Sequence, residues 1–144
     1  MPAGRTILNV VAGITTVGGL AADWNRTHLF NPNWPPHARF HDAMTVTLGT
    51  LLGAGALYAL NRQSTDPDRD TTLGAMLPAA FWTSMGAAFA FPGARGLQAE
   101  FPHLVPRIKD VWINERFASA GMLALTAIGY GLERRARRGH AHQV

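Results

Sequence analysis

The sequence predicts an all-α fold, an integral membrane four-helix bundle with two long polar loops on one side. Three observations carry this expectation. Residues 6–22, 43–60, 71–91 and 117–132 contain no Asp, Glu, Lys, Arg or His. A soluble helix needs a charged outer face, and none of these four runs can provide one. Their lengths of 17, 18, 21 and 16 residues fall near the roughly 20 residues that cross a bilayer. Charged residues make up 15% of the chain, against roughly 25% in a typical soluble domain. The mean hydropathy of +0.01 is low for a membrane protein, and the Gly, Ala and Thr content accounts for part of that. The rival reading is a soluble, Ala-rich four-helix bundle.

At 144 residues the chain reads as one domain, residues 1–144. Span one covers 6–22 and ends at Asp23-Trp24-Asn25. Arg5 ahead of an apolar run and Gly19-Leu20-Ala21 near its end also suit a secretory leader, but the run is read here as a retained span. A loop rich in Pro and Asn follows, and Pro35-Pro36 suits the first turn of a new helix. Span two covers 43–60. The short acidic loop 61–70 carries the turn signal Asp66-Pro67-Asp68. Thr71 or Thr72 is expected to cap span three, 71–91, which contains Pro78 and is stopped by Pro92-Gly93. Residues 93–116 form the second long loop, with a short interfacial helix expected near 105–114. Span four covers 117–132, and a basic tail, 133–144, holds Arg134, Arg135, Arg137 and Arg138. That cluster suits anionic lipid at a membrane surface better than nucleic acid. Gly49 and Gly53 form a G-x-x-x-G, which predicts close helix packing within the chain and offers a Gly-rich face for an oligomer.

Four spans place both termini on one side and both long loops on the other. The terminal side holds Arg5, Arg62, Arg69 and the four tail arginines. The loop side holds Arg26, Arg39, Arg95, Arg107, Lys109 and Arg116. Seven against six barely sets orientation, and the clustered tail predicts cytoplasmic termini in the cell membrane.

The loop side also gathers the chemistry. Asp23 and Asn25 leave span one there, His37, His41 and Asp42 enter span two, and Asp110, Glu115 and Arg116 enter span four. His28, Glu100 and His103 lie in the loops themselves. His37 and His41 are four apart and share a helical face. One reading is a metal at this pair, with a third ligand from His28, Asp23 or Glu115. A second is acid–base catalysis, with His37, His41, Asp23, Asp42 and Glu115 as catalytic groups. Trp24, Asn25, His28, Trp34, Arg39 and Trp112 would then contact a lipophilic substrate entering from the bilayer. A structural reading competes with both. In it the tryptophans form an interfacial belt, Asn31 and Asn33 serve turns, and Arg39 pairs with Asp42. With no Cys, disulfides and thiolate chemistry are excluded. Neither long loop holds a Ser, so a Ser/His/Asp triad is unsupported, and the glycines form no phosphate loop.

The run Trp24-Asn25-Arg26-Thr27-His28, with Asn31-Pro32-Asn33-Trp34-Pro35-Pro36-His37-Ala38-Arg39-Phe40-His41, resembles a family of small four-span proteins of unknown function from bacteria and fungi. In architecture alone the chain is similar to emopamil-binding-like isomerases and to DoxX-like proteins. The former use His and acidic residues in a membrane cavity. The expected function is a membrane enzyme that moves a proton on a lipophilic small molecule, as an isomerase, cyclase or epoxide opener. The alternative is a non-catalytic membrane subunit or a metal- or quinone-binding module. No particular cofactor is implied, although a His-bound metal fits the residues.

Overall fold

A computed structural model describes residues 2–141, and the side chains of residues 2–139. Four long helices dominate it: α1 (Ala3–Asp23), α2 (Pro36–Asn61), α3 (Pro67–Ala88) and α4 (Glu115–Ala141). They run alternately up and down. α1 and α3 each pack against both α2 and α4, and α1 also touches α3 across the diagonal. The loops 24–35 and 89–114 therefore lie together at one end of the bundle.

Several boundaries differ from the sequence expectation. α2 begins at Pro36, a full two turns before the charge-free run, because a proline at the first helical position loses no hydrogen bond. The cap of α3 is Asp66, whose side chain accepts from the Arg69 N–H, and not Thr71 or Thr72. Those threonines turn inward along the helix and bond back to the carbonyls of Pro67 and Asp68. α3 ends at Ala88, before the Pro92-Gly93 stop, and α4 carries on through most of the basic tail. The helix expected near 105–114 is instead an antiparallel hairpin of β1 (Arg107–Ile108) and β2 (Val111–Trp112). Pro106 and the left-handed Lys109 (φ 54°) favour a tight turn over a helix there.

The core mixes small residues with a few large ones, while many large apolar side chains stay outside. One buried cluster joins Leu8, Ala12, Ala56, Leu60 and Ala75, and another joins Val11, Phe81, Trp82 and Met122. Gly53 lets α2 lie directly on α1, since a Cβ there would strike the Thr16 amide and the Ala12 carbonyl. Gly49 faces Phe81 of α3, so the G-x-x-x-G serves contacts within the chain. Buried polar groups bond across helices. The Trp82 indole donates to Thr15 Oγ1 (2.9 Å), and Ser119 donates to the Trp82 carbonyl (2.6 Å).

Outward faces on all four helices carry large apolar side chains. Val17 is 57% exposed on α1, Leu51 65% on α2, Met76 62% on α3 and Ile128 53% on α4. Two helices, α1 and α2, are long and apolar enough to cross a membrane. Apolar area on this scale marks contact with lipid or another protein.

Candidate functional site

The first long loop is a scaffold for one histidine. Asn25 Oδ1 accepts from the Thr27 amide (2.8 Å) and the Thr27 hydroxyl (2.6 Å). The Thr27 oxygen in turn lies 2.8 Å from His28 Nδ1. With the hydroxyl hydrogen given to Asn25, Thr27 can only accept from His28, so Nδ1 carries the hydrogen. In the neutral ring this leaves Nε2 with a free lone pair, and Nε2 stands 3.6 Å from Asp23 Oδ1. Trp34 meets the His28 ring edge to face at 5.8 Å. The loop is fixed from below by Asn31, which is 1% exposed. Its side chain bonds the Thr27 carbonyl and the Asn33 amide, and its own carbonyl accepts from Arg39 (2.8 Å). Arg39 therefore braces the loop through Asn31, not through the expected pairing with Asp42.

His28 faces a cavity of about 620 Å³ between α2 and α3, roofed by the second loop. Its wall is apolar, with Leu48, Leu52, Phe81 and Met85, and its loop end holds His28, Arg95, Glu100 and Glu115. Thr45, Leu48, Ala80 and Ser84 are all exposed, so the cavity opens sideways between the two helices. Glu115 begins α4. Its Oε1 accepts from the Leu97 amide (2.9 Å), while Oε2 is buried against the Gly96 backbone with no hydrogen-bond partner among the described residues. Gly96 permits that approach, because a Cβ there would collide with the carboxylate.

Behind His28, Asp23 and Asp42 lie just beyond the charge-free runs of α1 and α2. Burial lifts the Asp23 carboxyl above the usual carboxylate range. His28 draws it back down, and Asp42 and Glu115 push it up again. Burial also raises Asp42, with His28 opposing. Asp42 Oδ2 is buried without a partner. Three carboxyl groups thus converge on one imidazole, and at Asp23 and Asp42 burial opposes the charged form.

Of the residues singled out from sequence, Asp23, Asp42, Glu115 and His28 come together, with Asn25 and Trp34 supporting them. His37 and His41 stand apart on an exposed face of α2, their Nε2 atoms 3.1 Å from each other. The i,i+4 spacing holds, but that face points away from the carboxyl groups. Trp24 is 64% exposed and packs edge-on against Phe30. Trp112 lies under the Arg107 guanidinium and lines a separate recess of about 580 Å³ beside Asp110 and Arg116. Thr27 was not among the sequence candidates. Its signal is the Asn two residues before it, the spacing of an Asx turn. No curated protein and no solved structure matches the chain. Residues 7–143 match the model of a Family of unknown function (DUF6640), and the chain belongs to that family.

Proposed function

We propose that this protein is a membrane-embedded enzyme that transfers protons on a lipophilic small molecule, in an isomerase, cyclase or epoxide-opening reaction. The observation that carries this is the cavity, with an apolar flank open sideways and His28, Arg95, Glu100 and Glu115 at its loop end. Apolar pockets with a few convergent polar groups are the usual form of a small-molecule site. An oily substrate reaches such a groove from the bilayer without crossing water.

His28 and Glu115 line the cavity and are the catalytic residues in this reading. The Glu115 carboxyl delivers a proton to one carbon or to an epoxide oxygen once Oε2, which rests against the Gly96 backbone, turns toward the substrate. His28 Nε2 is placed to take a proton from a neighbouring carbon, which closes a double-bond shift with no net gain or loss of hydrogen. Release of that proton through Asp23 to solvent, with uptake of one proton from solvent at Glu115, returns both groups to their starting state. Asp23 and Asp42 set the charge around His28, and Thr27 and Asn25 set its tautomer and orientation.

The wider reading has four membrane spans and cytoplasmic termini. The apolar outward faces of all four helices support it. Molecules that copurify with the detergent-extracted protein test the cavity. Leu48→Trp should fill the groove and remove a lipophilic ligand seen by mass spectrometry with the native chain. An unchanged ligand profile would place binding elsewhere.

A further inference from the structure

His37 and His41 are left without a role by the cavity, and their geometry points to a different chemistry. Their Nε2 atoms lie 3.1 Å apart with ring planes at 78°. Two nitrogens each bound at about 2.0–2.1 Å to a tetrahedral metal stand roughly 3.3 Å apart, and about 2.9 Å apart when the angle is 90°. The observed separation falls between the two. Phe40 holds the pair in place, stacked parallel to His37 (5°, 6.1 Å) and edge-on to His41 (5.6 Å). Both rings are exposed at the first turns of α2, at the mouth of its apolar run.

We propose that His37 and His41 form an open, two-nitrogen site for a divalent late transition metal such as Zn²⁺, Ni²⁺ or Cu²⁺. Paired imidazoles suit these ions, whereas Mg²⁺ and Ca²⁺ prefer oxygen. No group of three metal-binding side chains occurs among the described residues. The ion's remaining positions are therefore filled by water or by an oxygen donor from outside the chain. Metal binding replaces the single hydrogen that can bridge the two nitrogens and clamps the first turns of α2.

The test uses the full chain in detergent with His140→Gln and His142→Gln, so that tail imidazoles do not contribute. Titration with Zn²⁺ should show one equivalent bound, and His37→Gln or His41→Gln should each weaken it by tenfold or more. Cu²⁺ added to the same protein should give a spin-resonance spectrum with two nitrogen ligands, reduced to one in either variant. The same Zn²⁺ concentration, just saturating for the parent, should raise its melting temperature clearly more than that of either variant. Both variants replace exposed side chains, so they should fold. Zn²⁺ binding of equal affinity in the His37→Gln/His41→Gln double variant, or no binding to the parent, would overturn the proposal.

Discussion

His28 is held by neighbours that each do one thing. Asn25 takes the Thr27 hydroxyl hydrogen, Thr27 takes the imidazole N–H, and Asp23 faces the other ring nitrogen. Thr27→Val keeps the shape but removes the acceptor, so His28 should lose its fixed tautomer. We expect roughly a tenfold or greater loss of turnover with little change in melting temperature, a split that a kinetic and thermal comparison of one purified variant would read. Asn31→Ala should act in the opposite way. It strips two hydrogen bonds from a buried side chain, and the melting curve should show a cost of about 1–3 kcal/mol. His37 and His41 were visible in the sequence because a four-residue spacing on a helix can be counted. His28 was visible as a loop residue but not as the centre of the site. Its position depends on an Asx turn and a buried Asn, and periodicity carries no information about either.

The helices themselves were largely readable, because each charge-free run falls within or nearly within one long helix. Their ends were less so. Asp66 won the α3 cap over Thr71 because Pro67 starts the helix one turn earlier. The hairpin at 107–112 is too short for its alternation to stand out, and its turn rests on one left-handed residue. Close helix contacts give a sharper test. Gly53→Ala would drive a methyl into the α1 backbone and should destabilise the chain by about 1–3 kcal/mol. Gly13→Ala, with open space around it, should be neutral or stabilising by up to about 1 kcal/mol. The α2–α3 turn is tied by Arg62, which donates two hydrogen bonds to Asp70 and, with Ser64, holds its carboxyl down to about 2. A folded value below the unfolded one stabilises the protein above the unfolded pKa near 4, and that stability fades as pH falls toward 2. Thermal melting from pH 6 to pH 2.5 should therefore show the native chain losing its advantage over Asp70→Asn across that window. A constant difference between the two would show that the pair is not linked to folding.

At the scale of the molecule, the large apolar side chains on the outward faces of all four helices are what the proposed membrane setting rests on. The purified protein should need detergent or lipid, and a stable monomer in plain buffer would contradict the membrane reading. A reporter fused at residue 144 should be active on the cytoplasmic side, and an external signal would reverse the orientation while leaving both loops at the same end. The site sits where this architecture brings four carboxyl and imidazole groups from α1, α2, α4 and the first loop together beneath the second. That convergence was foreseeable from four helices of alternating direction. Which histidine joined it was not. The proposed proton transfer at His28 and Glu115 would leave a direct trace, because hydrogen taken from solvent would end on carbon. The decisive measurement incubates the protein in heavy water with the total lipid extract of the cells that make it, and follows deuterium in the lipophilic fraction by mass spectrometry. The native chain should label one compound class at carbon, and His28→Gln and Glu115→Gln should each lower that labelling by about 10²–10⁴-fold while melting near the native temperature. Equal labelling with the native chain and the His28→Gln variant, or none above a protein-free control, would contradict the proton-transfer reading.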